Sequence, residues 1–448
     1  MLSVSEAEGR AGALIEAARK AGADAADVLY IGDAATEVQV RLGELEDVTR
    51  SEGEEIGLRL FVGRRSASVS SSDLSTDALA ALVERAVAMA REAPEDPYAG
   101  LAPEERLLRG ASPDLEADDG ADPSPVTLKE RALATEEAAR AVAGITNSEG
   151  AGMSAGRTVI ALATSQGFCR GYTTSGYGAY ASVIGGEGSG MQRDSASHSA
   201  RHYADLDPAE ALGRLAADRT VQRLNPGTLA SGVMPVFFDP RVGGSLVGAL
   251  LGAISGPAIA RRTSFLLGRE EELLFDSSVV IVDDPHRRRG LKSKPFDGEG
   301  VATSVSRLID GGRLTGWLLN AASARQLGLE TTGHANRGIG GAPGVGATNV
   351  HLEPGSLSPA GLMADVKLGL YVTEMIGSGV NPVTGDYSRG ASGFVIRDGA
   401  LGAPVDEITI AGNLVDMFRA LMPANDLEHR RAVNVPTLRV DGMTVAGA

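Results

Sequence analysis

The apolar positions of the first 92 residues predict a sheet covered by helices. An opening helix is predicted over residues 6–21, and short strands with polar turns between them follow at 26–31, 36–41, 55–62 and 66–70. The next helix can be capped by Ser75 or Thr76, because an apolar stripe at helical spacing follows: Leu79, Leu82, Val83, Ala86 and Ala90. Strands followed by a covering helix predict a two-layer α+β domain over residues 1–92.

The rest of the pattern divides the chain into three further segments. Residues 93–125 are rich in Pro, Asp and Glu and contain little to bury, which predicts an acidic linker or an exposed excursion. Residues 126–228 are predicted as a middle α+β region that continues the N-terminal part, with helices over 126–143 and 207–224 and with TNSEG and ATSQG as turns between strands. From 229 to 448, apolar segments between glycine turns predict a β-rich C-terminal domain. The predicted fold class is therefore α+β.

One uncharged stretch, residues 242–260, resembles a transmembrane helix in length, because a helix needs ~20 residues to cross a membrane. Its glycines at four-residue spacing are typical of close helix packing: Gly244, Gly248, Gly252 and Gly256. Ser245, Ser255 and Pro257 dilute its hydrophobicity. We therefore predict a glycine-rich helix embedded in the C-terminal domain and no membrane association.

Composition narrows the classes of partner and compartment. Acidic residues outnumber basic ones 58 to 42, and the net charge of −16 repels phosphate backbones, so no direct nucleic-acid binding is expected. The single cysteine, Cys169, excludes an intramolecular disulfide and any multi-cysteine metal site. Glu6 and Glu8 stand where a secretion signal would carry positive charge. These features predict a cytoplasmic protein.

His198 and His202 form an HxxxH pair that could begin a zinc site if it lay on a helix. The surrounding RDSASHSARHYADL alternates like a strand or loop, on which the two side chains would lie ~13 Å apart. No glutamate lies between the two histidines to act as a base. A solvated surface pair is the favoured interpretation.

Three other segments have a chemical and a structural interpretation. Residues 333–349, GHANRGIGGAPGVGATN, could hold an anion on backbone N–H groups, but they lack the order of a Walker loop or a dinucleotide site and are interpreted as turns. Cys169 could be a nucleophile, yet the sequence nominates no basic partner for it. The cluster HRRRG at 286–290 is most simply a salt-bridged loop.

The segment GSGVNPVTGDYSRGASGFVIRDG, residues 377–399, combines tight turns with closely spaced polar groups. Glycine and proline set the turns between short β segments. A purely structural loop would not need all of its polar side chains, so we take five residues as candidate contacts for a peptide or a partner: Asn381, Asp386, Tyr387, Ser388 and Arg389.

Several ordered motifs together resemble the TldD/PmbA family, peptidases also known as modulators of DNA gyrase, and specifically its PmbA (TldE) branch. The motifs are AIARRTSF at 258–265, FDGEGVATS at 296–304, TNVHLEPG at 348–355, GSGVNPVTGDYSRGASGF at 377–394 and EITIAGNLVDMF at 407–418. The resemblance implies a two-domain protein whose TldD-like partner carries HExxxH, with two histidines as zinc ligands and a glutamate that activates water.

In the register that the resemblance gives, the partner's motif falls on GALLGA, residues 248–253. Gly248 and Ala253 stand at the histidine positions and Ala249 at the glutamate, between a helix start at Asp239 and Pro240 and the RRTSF segment. None of the three side chains can bind a metal, and the only cysteine, Cys169, does not match the C-terminal third ligand of the partner. The resemblance thus implies no catalytic residue, metal or cofactor in this chain, with zinc in the TldD-like partner.

The leading hypothesis is a non-catalytic subunit of a heteromeric TldD–TldE zinc peptidase that processes unfolded or small peptides, which would be held by strand addition. A heterodimer with the TldD-like subunit is expected, and a homodimer is possible when the chain is alone. One alternative is a homodimeric hydrolase with non-zinc chemistry. The other is a non-enzymatic protein that modulates DNA gyrase. Whether the same organism encodes a chain with HExxxH would discriminate between them.

Overall fold

The first half of the chain forms one six-stranded sheet with helices on one face. This computed structural model describes residues 1–270 and 272–447. The sheet is antiparallel throughout, in the order β3-β2-β1-β4-β5-β6. The elements are α1 (Val4–Lys20), β1 (Ala25–Arg41), β2 (Glu44–Val62), β3 (Arg65–Ser71), α2 (Thr76–Glu92), α3 (Pro125–Arg140), β4 (Ile145–Thr164), β5 (Cys169–Gly185), β6 (Gln192–Ala200) and α4 (Ala209–Gln222).

Alternation along β1 assigns its side chains to two different layers, because successive residues of a strand point to opposite faces. Val28 and Tyr30 pack under α1 and α2, while Val38 and Val40 pack under α3 and α4. Leu29 points to the other face and joins a cluster that includes Phe296 of the C-terminal half. The sheet is thus covered by helices on one side and by the C-terminal domain on the other.

The strands of this sheet are longer than the sequence pattern predicts. The predicted strands 26–31 and 36–41 are both part of β1, because the polar stretch between them pairs with β2 on one side and β4 on the other. TNSEG was predicted as a turn but lies inside β4, where the pairing with β5 shifts twice. ATSQG does turn the chain, since Gly167 N donates to Thr164 O at 3.1 Å.

The second half of the chain is β-rich. Its main sheet runs β16-β15-β14-β7-β19-β17, and an additional pairing of β16 with β19 closes five of these strands into a ring. A smaller sheet runs β10-β9-β8-β13-β18. The elements are β7 (Gly232–Phe238), α5 (Pro240–Ala253), α6 (Gly256–Ala260), β8 (Ile281–Asp283), β9 (Ser306–Asp310), β10 (Arg313–Leu314), α7 (Ala321–Leu327), β11 (Ala335–Asn336), β12 (Gly344–Val345), β13 (Val350–Leu352), α8 (Pro359–Met363), β14 (Leu368–Ile376), β15 (Asp386–Arg397), β16 (Ala400–Asn413), α9 (Leu414–Arg419), β17 (Leu421–Pro423), β18 (Val433–Asn434) and β19 (Leu438–Ala446). The α+β prediction is confirmed.

The predicted glycine-rich helix is two helices, α5 and α6, which Ile254 and Ser255 separate. Leu246, Val247 and Leu250 of α5 are buried in the main core of the C-terminal domain. Within the described part of the chain, no helix is both long and apolar enough to cross a membrane.

Residues 93–125 connect α2 to α3 and contact both domains. Leu107 bridges to Val301 of the C-terminal domain, and Leu108 N donates to Gly300 O at 2.9 Å. Further along, Ala117 O accepts a 2.9 Å hydrogen bond from Ser175 N on β5. These contacts tie the acidic segment to both domains.

Candidate functional site

Helix α5 begins at the boundary between the two domains. Asp239 caps it, since its Oδ1 accepts hydrogen bonds from Arg241 N at 2.8 Å and from Arg241 Nε at 3.2 Å, and Pro240 occupies the first turn. The cap predicted from the sequence is therefore present. The Arg241 guanidinium also donates to Asp194 of β6 at 3.0 Å, which links the helix start to the N-terminal domain.

The three positions that correspond to HExxxH lie in the second half of α5. Gly248 is exposed, and a Cβ built on it would meet nothing within 4 Å. Ala249 is half-buried, whereas Ala253 is buried in the core at the last residue of the helix. Five residues correspond to a rotation of about 140° around a regular helix. Gly248 and Ala253 therefore point in different directions, and neither they nor Ala249 carry a donor atom.

The residues present here do not fit the zinc ion that a metallopeptidase helix would hold. Asp239 is the nearest acid in sequence, but it caps the helix and pairs with Arg241. In residues 1–270 and 272–447, no group of three His, Cys, Asp or Glu side chains is arranged to hold a metal ion.

Two of the five candidate residues in the 377–399 segment build the turn itself. Asn381 Oδ1 accepts from Val383 N at 3.0 Å, and Asn381 N donates to Asp386 O at 2.8 Å. Hydrogen bonds from Thr384 Oγ1 and Asn413 Nδ2 lower the pKa of Asp386, whose side chain is exposed. The Asn381 amide and the Asp386 carboxylate are thus occupied in local structure.

Ser388 stands in a tight part of the same segment. Its side chain is exposed, and its N–H donates to Gly379 O at 2.7 Å. A Cβ at Gly379 would lie 1.5 Å from Ser388 O, so this approach of two backbones requires glycine. Gly379 and Val380 occupy the side of β15 that faces away from β16, which leaves no free strand edge here for an added peptide strand.

Tyr387 and Arg389 differ in their surroundings although both lie on β15. Tyr387 is 3% exposed in the core, its hydroxyl donates to Met375 Sδ at 3.1 Å, and burial raises its pKa to about 12. Arg389 is half-buried beside α5, and its buried Nε has no hydrogen-bond partner among residues 1–270 and 272–447. Arg389 also lines a cavity at the start of α5.

That cavity, which we call the arginine pocket, has a volume of about 450 Å³ and lies at the start of α5. Arg241, Arg389 and Arg431 line it together with the apolar side chains of Val242, Met375 and Val433. No Asp or Glu that the structure describes is among its lining residues. The pocket therefore brings three guanidinium groups together in a chain whose net charge is −16.

A second cavity of about 590 Å³ shares Arg241 and Arg431 with the arginine pocket and extends to the N-terminal domain. Arg219 and Arg223, at the end of α4, also line it. Arg223 pairs with Asp194 and with Glu374, while Arg219 donates only to the backbone carbonyl of Ser195 at 3.0 Å. The two cavities together form a cleft between the domains.

Three models of one protein family match the chain in order: PmbA/TldA metallopeptidase domain 1 over 26–90, the central domain over 118–224 and the C-terminal domain over 231–447. The metalloprotease PmbA of Escherichia coli O157:H7 is 38% identical over 426 residues, which are 95% of this chain and 92% of that protein. The chain belongs to the PmbA/TldD metallopeptidase family. A PmbA homologue of Haemophilus influenzae is 35% identical over 438 residues, 97% of this chain and 94% of that protein.

Solved structures share the fold of this PmbA/TldD family member. A crystal structure of a proposed modulator of DNA gyrase from Bacteroides thetaiotaomicron has a TM-score of 0.92 and 26% identity and covers 100% of both chains. The crystal structure of TldE from Thermococcus kodakarensis has a TM-score of 0.87 at 21% identity, covering 98% of this chain and 100% of that one. The family predicted from the motifs is therefore confirmed.

The HxxxH pair of this family member is not a joint site. His198 lies on β6, where its Nδ1 accepts from Asp207 N at 3.1 Å and burial lowers its pKa. His202 follows the strand, and its Nε2 lies 3.0 Å from Glu116 O. Each imidazole thus has its own partner, and the His198 side chain, at 14% exposure, is more buried than a solvated surface pair would be.

The remaining candidates serve the fold. In residues 333–349, Ala335 N and Thr348 N donate to the buried carboxylates of Asp297 and Asp283, so these N–H groups do not face a phosphate. Cys169 begins β5 at the surface, and partial burial together with Glu8 raises its pKa, which disfavours the nucleophilic thiolate.

The basic cluster at 286–290 forms ion pairs with residues outside its own loop. Arg288 and Arg289 both pair with Glu116 of the acidic 93–125 segment, and Arg289 also pairs with Asp205 at 3.1 Å. The prediction of a salt-bridged loop holds, although Asp283 and Asp284 are not the partners of these two arginines.

Sequence reasoning missed Arg241, Arg431 and Arg219, although it selected Arg389. Each arginine stands on a different element, and nothing in its immediate neighbourhood is unusual for a surface residue. The available signal was Arg241 next to the helix cap at Asp239 and Pro240, since a positive residue is unfavourable near the positive end of a helix dipole.

Proposed function

We propose that this chain is the non-catalytic, TldE-like subunit of a heteromeric metallopeptidase that acts on unfolded or small peptides. A TldD-like partner would supply the zinc ion and the base. The observation that carries the proposal is the register of α5: its helix, cap and core are intact, but Gly248, Ala249 and Ala253 offer no ligand and no base. A family member that retains the scaffold and lacks the donors suits a role in binding and assembly.

The role of this subunit would be to hold part of the peptide beside the catalytic chain. The cleft supports this role, because it opens next to α5 and carries three guanidinium groups that have no carboxylate ion pair among the described residues, those of Arg219, Arg389 and Arg431. Such groups interact with the polar and charged groups of peptides. Side chains of the cleft replace the strand addition expected from the sequence, since β15 offers no free edge at Asp386 to Arg389. Any effect on DNA gyrase would be indirect, through proteolysis, since the net charge of −16 opposes DNA binding.

Reconstitution tests the assembly. This chain and a TldD-like chain with HExxxH are purified separately, and cleavage of an unstructured peptide is followed as this chain is titrated into the other. We expect turnover that rises to a plateau at a fixed ratio of the chains and that a zinc chelator abolishes. Turnover by the TldD-like chain that does not change on addition of this chain would contradict the proposal.

A further inference from the structure

The arginine pocket contains positive charge that the protein does not neutralise. Arg241 is neutralised, because its guanidinium contacts both Asp194 and Asp239. Among the described residues, the Arg431 guanidinium donates only to the backbone carbonyl of Arg241, at 3.3 Å. The Arg389 side chain has neither an ion pair nor a hydrogen bond to the residues that the structure describes, although its Nε is buried. Two of the three guanidinium groups are therefore available to an anion.

Arg431 is exposed at the surface of the pocket, beside another positive charge. Partial burial and the neighbouring charge of Arg241 lower the pKa of Arg431, which means that its surroundings disfavour its charge. An anion between Arg389 and Arg431 would offset this effect and would give the buried Nε of Arg389 an acceptor. Guanidinium groups bind planar two-oxygen anions through paired hydrogen bonds.

We propose that the arginine pocket binds a carboxylate group of a peptide, held between Arg389 and Arg431. This inference rests on the proposed function for its peptide ligand, and it identifies the group by which the peptide is recognised. The carboxylate is either the C-terminal one or the side chain of an Asp or Glu.

Charge and shape favour a single carboxylate over a polyanion. Asp194 and Asp239 both form ion pairs with Arg241, so the net positive charge around the pocket is small. These two carboxylates also repel a ligand that carries several negative charges. Val242, Met375 and Val433 complete the wall, which gives the carbon atoms next to the carboxylate an apolar surface. The pocket is also at the start of α5, where the helix dipole favours negative charge.

Equilibrium binding to the purified full-length chain, without its partner, tests the inference. Three versions of one fluorescent unstructured peptide are compared by anisotropy: one with acidic side chains and a free C-terminus, one with an amidated C-terminus, and one with Asn and Gln in place of Asp and Glu. Weaker binding of the amidated peptide identifies the C-terminal carboxylate as the ligand, and weaker binding of the Asn and Gln peptide identifies a side-chain carboxylate. The expected loss of affinity is about tenfold for one charge-assisted contact.

Two variants of the pocket and one matched control localise the effect. Arg389→Gln and Arg431→Gln should each weaken binding of the unmodified peptide by about tenfold and should abolish the difference between the peptide versions. Arg397→Gln removes the same charge from an exposed position on the same strand, β15, and should change neither. Circular dichroism verifies that the variants fold, and the three peptides on the unaltered protein provide a test that does not depend on them.

Equal binding of all three peptides, absence of binding to the unaltered chain, or an equal effect of Arg397→Gln would overturn the carboxylate assignment. None of these results decides the proposed function, because zinc-dependent turnover in the mixture of both chains is measured separately. Conversely, carboxylate-dependent binding with no gain of turnover in the mixture would support the carboxylate site in the arginine pocket and would contradict the proposed role as a peptidase subunit.

Discussion

Arg337 Nη1 of the C-terminal domain lies 2.5 Å from Asp27 Oδ1 on β1, and both side chains are only 1% exposed. Arg59 on β2 also binds Asp27 through Nε and Nη2. Burial disfavours the ionised form of Asp27, but the two guanidinium groups outweigh it and lower its pKa. A buried carboxylate thus holds two arginines, one from each domain.

Asp27→Asn should therefore destabilise the protein strongly. The substitution leaves Arg59 and Arg337 buried with only Glu299 nearby, and breaking a buried ion pair in this way costs about 3 to 5 kcal/mol. Urea denaturation measures the free energy of unfolding. Glu330→Gln is the control, because it breaks the exposed pair of Glu330 with Arg106 and should cost less than about 1 kcal/mol. Equal losses for the two variants would contradict the account of the domain boundary.

Glu299, in the same cluster, should make stability depend on pH. Burial, reinforced by the charge of Asp297, raises the pKa of Glu299 to about 7 from an ordinary value of 4.5. A carboxyl whose pKa is raised by folding binds its proton more tightly in the folded state. Its contribution is fully present below about pH 4.5 and is lost as the pH rises through about 7.

Glu299→Gln should remove this loss, which is on the order of 3 kcal/mol in total. Glutamine keeps an acceptor for the 2.8 Å hydrogen bond from Ala321 N and carries no charge to desolvate. The free energy of unfolding is measured from pH 5 to 8 for the variant and the unaltered protein. If both curves have the same slope in this range, Glu299 does not titrate as described.

Two glycines of the glycine-rich stretch should respond oppositely to alanine. Gly248→Ala places a methyl group where nothing lies within 4 Å, so it should stabilise the chain by about 0.5 to 1 kcal/mol through helix propensity. Gly256→Ala would put Cβ 2.6 Å from Leu319 Cδ2, and overpacking should cost about 1 to 3 kcal/mol. Thermal or urea unfolding of the isolated chain measures both. Destabilisation by Gly248→Ala would show that this face of α5 is packed within the chain.

Arg389→Ala should affect function without affecting the fold. The Arg389 side chain makes no hydrogen bond or ion pair to the described residues, so the free energy of unfolding should change by less than about 0.5 kcal/mol. Turnover of peptide in the mixture with the TldD-like chain should fall about tenfold. Tyr387→Ala is the contrasting variant, because it empties a core position and should cost about 3 to 5 kcal/mol. Comparable destabilisation by the two variants would make Arg389 structural.

The sequence predicts elements whose causes are local. The start of α2 and its buried face, the stripe from Leu79 to Ala90, agree with the sequence pattern, because the cap and the stripe are set within one helix; of the two possible caps, the structure uses Ser75. The cap of α5 at Asp239 is correct for the same reason. Strand lengths are less predictable from the sequence. β1 continues through Gly32 and Asp33 because β2 and β4 pair with it on either side, and the local residue propensities do not indicate this pairing.

The candidate site is predictable only in part, since it is assembled from distant segments. Arg389 could be selected because polar residues are dense around it, whereas Arg241 and Arg431 join it only through folding. Tyr387 was selected by the same argument, yet strand alternation turns its side chain into the core. The pairing of Asp27 with Arg337 also depends on the docking of two domains.

The most direct test of the central claim is the zinc content and peptidase activity of this chain alone. The chain is purified without a partner, supplied with zinc, dialysed and examined by metal analysis and by cleavage of an unstructured peptide. Because Gly248, Ala249 and Ala253 provide neither ligands nor a base, we expect no stoichiometric zinc and no zinc-dependent cleavage until the TldD-like chain is added. Stoichiometric zinc together with chelator-sensitive cleavage by the chain alone would contradict the claim that it is a non-catalytic subunit.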